Sequence, residues 1–596
     1  MPRLSPLICG LAVLSQLGSV VVTAAPLEDF KYQRVIQNTS SEGHRGAVAS
    51  ESAICSEIGI NTLRKGGSAA DAMVATTLCV GTIGMYHSGI GGGGFMLVRD
   101  PDGNYETVDY RETAPAAATQ DMYNDDPNAS VIGALSVAIP SELRGLEYVH
   151  SKYGRLPWYD LVMPSVKIAR DGFKVTEDLV RYMASASVSD DFLTRDPVWA
   201  EDFAPNGTLL KLGDTITRKR YARTLAKIAL LGADAFYNGP IADSIISLLQ
   251  PLGGILTHDD LANYNVSIKP ALNITYRDSF RIFATDAPSS GAVTLSILKT
   301  MSHFPSSSLS SDLDLTNHRF VESMKFAYGA RQSLGDPIFI SNISRFQSSM
   351  LSDSTTKSIA SKINPNHTLP LSSYDPLRNY AAASHGTSHI VTADFSGLTI
   401  SSTTTLNLLF GARLMTPDTG IILNDEMDDF SQPNKNNSFG FVPSPNNFIR
   451  AGKRPLSSIC PVMVEHLGNG SLWFATGAAG GSRIISSTTQ VAFNVLEGLR
   501  VHPNTTEMGT KGVGGEGSVM RAAVAAPRLH DQLMPEVLLV ERGYGQDVYE
   551  DLKGRGHNVT WQAPGLSAVQ AVMRFGNGTF VAASETRQVN SGGFAV

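Results

Sequence analysis

Cysteine is scarce in this chain. Only Cys9, Cys55, Cys79 and Cys460 occur in 596 residues, and no two of them stand in a CxxC pair. That excludes a zinc ribbon and a dithiol redox site. No HExxH and no GxSxG is present, so neither a zincin helix nor a nucleophile elbow is available. Basic residues form no stripe, and Lys+Arg 48 against Asp+Glu 55 gives a net charge of -7, so nucleic acid is excluded as a partner. There is no internal repeat. Beyond the N-terminus no stretch is long and apolar enough to span a bilayer.

What is present begins with a leader. Arg3 is followed by an apolar run from Leu7 to Val22 and then by Thr23-Ala24-Ala25. This is the pattern of a secretory signal over residues 1–24, with an uncleaved anchor as the rival reading. Twelve N-x-S/T sequons follow, at Asn38, Asn128, Asn206, Asn265, Asn273, Asn342, Asn366, Asn436, Asn469, Asn504, Asn558 and Asn577. Leader and sequons together predict a secreted or vacuolar glycoprotein. In that oxidising setting Cys55 and Cys79 are candidates for one disulfide between two consecutive helices; two buried free thiols are the alternative. Gly66-Gly67 reads as the stop of the first helix. Ser68 with Asp71 three residues on reads as a capping box opening the second. Cys460 is left as a buried free thiol.

Helical stretches are predicted over 52–65, 68–84, 159–170, 218–231, 318–333 and 484–498. Strands are predicted over 95–99, 105–110, 389–393, 398–404, 460–465, 472–477 and 579–583. Residues 303–314 and 341–376, rich in Ser, Asn and Pro, read as exposed loops, and 508–518 as a flexible glycine loop. Strands mixed with helical layers imply a sandwich. "GIGGGG", Gly89 to Gly94, contains a formal GxGxxG, but a helix precedes it and a strand follows, the reverse of a dinucleotide site. It is left as a place where backbone approaches another strand or a substrate closely. "NDEMDDF", 424–430, fails the EF-hand pattern, with Asp429 where glycine and Lys435 where glutamate are needed.

The remaining chemistry sits at Gly386-Thr387, where a polar segment turns at once into strand sequence. A threonine hydroxyl needs a base. If the chain is cut between Gly386 and Thr387, the new α-amine, with a pKa of about 7.7–8, stands beside the hydroxyl of the same residue and can take its proton. No triad partner is then required. The cut itself can be an N-to-O acyl shift by Thr387 onto the Gly386 carbonyl.

These residues carry a family likeness. "GAVASESAICSEIGINTLRKGGSAADA", "SGIGGGGFMLV", "DYRETAP", "GTSHIV", "STTTLNLLFG", "GIILNDEMDDFS", "PSPNNFIRAGKRPLSSICP" and "GAAGGSRI" resemble the γ-glutamyltransferases (glutathione hydrolases), N-terminal-nucleophile hydrolases, in order from about Arg34 to the end. The resemblance implies an α+β, four-layer αββα sandwich. It implies a large subunit of residues 25–386 and a small one of 387–596, intertwined as a heterodimer cut from one precursor. It implies glutathione and other γ-glutamyl compounds as substrates, with water, amino acids or peptides as acceptors, and neither cofactor nor metal. On it, Thr387 is the nucleophile and Thr405 holds its amine. Asn407, Glu426 and Asp429 bind the substrate's α-ammonium. Arg111, Ser457 and Ser458 bind the α-carboxylate. Gly480 and Gly481 offer the oxyanion hole. Leu409 departs from animal relatives, which carry a tyrosine there, and the Asn436 sequon lies near the mouth of the cleft. A sister acylase acting on glutaryl side chains and a catalytically inactive secreted glycoprotein are the rival readings.

Overall fold

A computed structural model describes residues 43–188, 190–375, 379–380, 386–433, 442–498, 516–565 and 567–596. The leader and the sequons at Asn38, Asn436 and Asn504 lie outside these residues. In chain order the strands that build the body are β1 (Gly46–Ser50), β2 (Gly93–Arg99), β3 (Tyr105–Tyr110), β4 (Ser267–Pro270), β5 (Leu272–Tyr276), β6 (Phe280–Ala284), β7 (Gly386–Asp394), β8 (Thr399–Asn407), β9 (Val462–His466), β10 (Leu472–Ala479), β11 (Ala568–Arg574), β12 (Phe580–Ala583) and β13 (Gly592–Ala595). They form a 7-stranded sheet in the order β13-β1-β7-β8-β2-β3-β4 and a 6-stranded sheet in the order β12-β11-β10-β9-β6-β5. Every neighbouring pair in both is antiparallel.

β7 and β8 are buried on both faces, which is why β7 reads as apolar and hydroxyl residues without charged alternation. Val391 and Ala393 point between the sheets, against Met463, Ala475 and Val572. Ile390, one residue out of phase, packs with Met73, Val74 and Leu78 of the helical layer. That outer layer includes α1 (Ala53–Arg64) and α2 (Ala69–Ile83); the opposite one includes α3 (Gly291–Ser302), α4 (Leu313–Arg331) and α5 (Arg483–Glu497). The result is the expected αββα sandwich. Strands from both sides of Gly386-Thr387 contribute to each sheet, and in the 7-stranded one β7 and β8 lie between β1 and β2.

The capping box is formed: Ser68 Oγ accepts from the Asp71 N–H at 3.2 Å, and an Asp71 carboxylate oxygen accepts from the Ser68 N–H at 2.8 Å. Cys55 and Cys79 are disulfide-bonded 24 residues apart, while Cys460 is a buried free thiol whose pKa burial pushes up to about 11. Replacing both bridged cysteines by alanine is expected to cost roughly 3 kcal/mol by chain entropy alone, measured as a fall in the thermal or denaturant midpoint of the non-reduced protein.

Two loop expectations are corrected. Residues 303–314 contain a helix, Ser306–Ser311, and the start of α4. Residues 341–376 contain the helices Ile343–Met350 and Asp353–Lys362. Serine favours caps and turns because its hydroxyl competes for backbone groups. Here Ser352 caps Asp353–Lys362 by accepting from the Thr355 N–H, Ser348 bonds back to the Ser344 carbonyl, and the fold buries Ile343, Gln347 and Met350. Of the glycine loop 508–518, only Glu516 onward is described, as the helix Glu516–Ala525. The nine sequon asparagines among the described residues are all exposed. Among the described residues no helix is long and apolar enough to cross a membrane.

The glycine run 89–94 is explained by close approach to backbone. A Cβ on Gly91, Gly92 or Gly94 would lie 1.9, 1.9 or 2.1 Å from the carbonyl oxygens of Ile422, Thr405 and Thr403. The run lets β2 crowd against β8.

Candidate active site

Gly386 opens β7 opposite Asn407, and the register slips between Gly386 and Ser388. Thr387 therefore sits at an irregularity in the ladder, the kind of feature that re-aims a side chain. Gly386 cannot be larger, since a Cβ there would come 2.7 Å from the Asn407 carbonyl oxygen. Thr387 is 3% exposed. On the helix side the strand is pinned by Ser388, whose hydroxyl donates to Glu51 and accepts from Ser88, both at 2.9 Å. On the sheet side His389 lies 2.7 Å from Thr403 Oγ1, with its pKa pushed down to about 3 by burial, so it is neutral.

The Thr405 hydroxyl donates to the Gly386 carbonyl at 2.5 Å and accepts from the Asn407 N–H at 2.7 Å. It thus lies on the carbonyl of the Gly386-Thr387 peptide bond. Asn407 has a positive φ of 75°. Its Nδ2 donates to the Asp425 carbonyl at 3.0 Å, which leaves Oδ1 buried without a hydrogen-bond partner.

Glu426 and Asp429 open and close a 3₁₀ turn, Glu426–Asp429. With three residues per turn the two side chains eclipse. Both pair with Arg111: one guanidinium nitrogen donates to Glu426 Oε1 and another to Asp429 Oδ2. Arg111 follows β3, is 1% exposed, and its Nε donates to the Pro455 carbonyl at 3.4 Å, two residues before Ser457. Burial opposes the arginine's charge; Glu426, Asp429 and Glu112 outweigh it and hold the guanidinium above its usual range. Burial lifts Glu426 well above the carboxylate range despite Arg111. Its Oε2 and both oxygens of Glu112 lack hydrogen-bond partners, and burial raises Glu112 to about 8. Buried acceptors without partners are costly, and these oxygens are open positions for a donor.

Ser457 Oγ accepts from the Ile459 N–H at 3.2 Å, and Ser458 Oγ accepts from Arg331 at 3.2 Å. Gly480 and Gly481 follow β10 with φ of 126° and 61° and lead directly into α5. β10 lies across the sandwich from β7. Positive φ is glycine's territory and turns the backbone sharply.

Most of the predicted residues connect: Thr387 neighbours Gly386, which pairs with Asn407; Asn407 bonds to Asp425; Glu426 and Asp429 meet Arg111, which reaches the segment carrying Ser457 and Ser458; Gly480 and Gly481 are related to them only through the packing of β10 against β7. Two charged groups were missed in sequence. Glu112 could have been suspected from standing beside Arg111. Arg331 offered no local signal, since its partners lie 41 and 127 residues away.

Among the described residues the cluster suited to a metal is His318, Glu322 and His557, all buried. Lys325 Nζ lies 3.1 Å from His557 Nδ1 and 3.6 Å from Glu322, so an ammonium already stands against two of its three members.

A four-layer αββα sandwich with a threonine at the head of a central strand is the architecture of the N-terminal-nucleophile hydrolases. The model of the gamma-glutamyltranspeptidase family matches residues 55–594, and the chain belongs to that family. It is 45% identical to the glutathione hydrolase proenzyme of Arthroderma benhamiae, covering 100% of each chain. It is 44% identical to the glutathione hydrolase of Aspergillus flavus, over 92% of this chain and 89% of that one. Among solved structures, the cephalosporin acylase of Bacillus halodurans superposes with a TM-score of 0.79 at 23% identity, covering 95% of this chain and 98% of the acylase. At that identity the likeness speaks for the fold alone.

Proposed function

We propose that this chain is a glutathione hydrolase and γ-glutamyl transferase, made as a proenzyme and cut between Gly386 and Thr387. The observation that carries the reading is the charge pattern beside the junction. A buried arginine and two buried carboxylates suit a head group bearing one charge of each sign. An entering α-amino acid exchanges partners with them: its carboxylate takes Arg111 and the Ser457 and Ser458 hydroxyls, and its ammonium takes Glu426, Asp429 and the open Oδ1 of Asn407. Both exchanges conserve charge-assisted hydrogen bonds.

In the uncut chain the Thr405 hydroxyl polarises the Gly386 carbonyl for attack by Thr387 Oγ1. The acyl group moves from nitrogen to oxygen, and water opens the ester to leave Gly386 as a carboxylate and Thr387 with a free amine. In the mature enzyme Thr387 Oγ1 attacks the γ-carbonyl of the substrate and its proton passes to that amine. The N–H groups of Gly480 and Gly481 meet the developing oxyanion, a contribution of about 2.7–4 kcal/mol per donor. The amine returns the proton to the leaving nitrogen, and cysteinylglycine departs. Water or an acceptor amine then attacks the γ-glutamyl ester and releases Thr387. The working base is the unprotonated amine, so kcat/KM should climb as pH rises through about 7.7–8; a profile flat across that range would refute the amine as base.

The glutaryl acylase reading lacks a use for two carboxylates facing the head group, because a glutaryl chain has no ammonium. The deciding experiment pairs N-terminal sequencing of the purified fragments with turnover of γ-glutamyl and glutaryl anilides. A fragment beginning at Thr387 and preference for the γ-glutamyl compound support the proposal; preference for the glutaryl compound overturns it. Cleavage of the leader after about residue 24, and secretion or vacuolar delivery as a glycoprotein, belong to the same proposal. The exposed sequon asparagines support it.

A further inference from the structure

The carboxylate half of the proposed head-group site has a second arginine behind it. Arg331 ends α4 and is 5% exposed. Its Nε donates to Ser290 Oγ at 3.0 Å and one terminal nitrogen donates to Ser458 Oγ at 3.2 Å. Ser290 in turn donates to the Ser457 carbonyl at 2.6 Å. Of the other buried arginines, Arg454 is paired with Asp109 and Arg528 with Glu585, while Arg218 is held by the backbone carbonyls of Gly81, Thr82 and Gly420. Arg331 instead has two neutral hydroxyls. Burial pulls its pKa below the usual arginine range, with Tyr328 and Asp429 working against that fall and Arg111 adding to it.

A guanidinium only donates. Ser458 Oγ therefore gives a lone pair to Arg331, and its own proton must point elsewhere. Ser290 does the same and hands its proton to the Ser457 carbonyl, which fixes that backbone from behind. One turn earlier on α4, the Tyr328 hydroxyl donates to the Ser482 carbonyl at 2.6 Å, so a single helix steadies both the serine pair and the Gly480-Gly481 turn.

We propose that Arg331 is a positioning residue for the α-carboxylate of γ-glutamyl substrates: it aligns the Ser458 hydroxyl as a donor and lends the carboxylate a second buried positive charge. The proposal rests on the assignment of Ser457 and Ser458 made above.

The test is steady-state turnover of a γ-glutamyl anilide by the full-length, processed protein. The variants are Arg331→Gln, Arg331→Lys, Ser458→Ala and each Arg331 change combined with Ser458→Ala. Arg331→Gln should raise KM about 20-fold, the size of a lost charge-assisted bond, with kcat within about threefold of the parent. Arg331→Lys returns the charge but not the two-hydroxyl fork, and should fall between. In either background, adding Ser458→Ala should cost less than it does alone, because the hydroxyl is already misaligned. An unchanged KM, an equal loss in KM and kcat, or strict additivity with Ser458→Ala overturns the proposal. If Arg331→Gln is not processed, the cycle through Arg331→Lys decides by the same criterion. A parent enzyme that prefers the glutaryl compound sinks the underlying substrate reading; an active γ-glutamyl enzyme indifferent to Arg331 sinks this inference alone.

Discussion

Changing Thr387 to alanine should leave the chain uncut at Gly386 and reduce γ-glutamyl turnover by about 10⁴-fold or more, a loss of at least roughly 5.5 kcal/mol of barrier lowering. On the proposed mechanism the side chain acts twice: its hydroxyl opens the peptide bond, and the same hydroxyl later accepts the acyl group. No neighbour can substitute. Ser388 faces the helical layer and is held by Glu51 and Ser88. His389 is occupied by Thr403 and Ser401. The Thr405 hydroxyl is already spent on the Gly386 carbonyl and the Asn407 N–H.

The loss should be one of chemistry and not of folding. Removing one hydroxyl and one methyl at a ladder irregularity costs about 1 kcal/mol, too little to unfold a sandwich with three buried hydrophobic layers. A denaturing gel, N-terminal sequencing and a melting curve separate the two outcomes. Thr387→Ser is the companion variant, since it keeps hydroxyl and amine; it should be cut and active at reduced rate. A normally processed Thr387→Ala chain would remove Thr387 from the cutting step and with it the single-residue mechanism.

What the sequence made legible follows from the range of the interactions involved. The Ser68–Asp71 capping box and the Cys55–Cys79 bridge depend on residues close in the chain, and the pattern contained them. The β7–β8 hairpin could be read because its turn, Asp394 to Gly397, is local. The helix Ile343–Met350 was not legible, because serine's local preference for turns was overridden by burial of Ile343, Gln347 and Met350 that only the fold supplies; in Asp353–Lys362, which buries only Thr356, the Ser352 cap was one serine among many. The site divides in the same way. Thr387 and the Gly480-Gly481 turn stand out by type and context. The charge arrangement around Arg111 joins residues 315 and 318 positions apart, and here family likeness supplied roles that spacing could not. Even so, the likeness gave only partners for a substrate. It did not say that the arginine and the two carboxylates would satisfy one another, nor that Thr405 would rest on the junction carbonyl before any amine exists.

That mutual satisfaction sets the second large effect. Arg111→Gln removes the grip on the α-carboxylate and should raise KM for γ-glutamyl substrates about 100-fold, or roughly 2.7 kcal/mol, within the span of hydrogen bonds to charged groups. It also strands Glu426 and Asp429, buried without a cation, and breaking a buried pair from one side costs about 3–5 kcal/mol. The sign of the pH dependence follows from Glu426. Burial already holds its folded pKa above the unfolded value, and Arg111 works against that rise. Deleting the arginine lifts it further. A carboxyl with a raised folded pKa favours the folded state at low pH and loses that advantage as pH climbs from the unfolded pKa through the folded one. The gap in melting temperature between parent and variant should therefore be smallest below the pH at which the parent's Glu426 ionises and widen above it. Arg111→Lys keeps a cation but not the fork, and should recover most of the stability and little of the KM. A gap that narrows as pH rises would mean that Arg111 does not hold the pKa of Glu426 down. An unaltered KM would remove Arg111 from the carboxylate's binding site whatever the melting curves show.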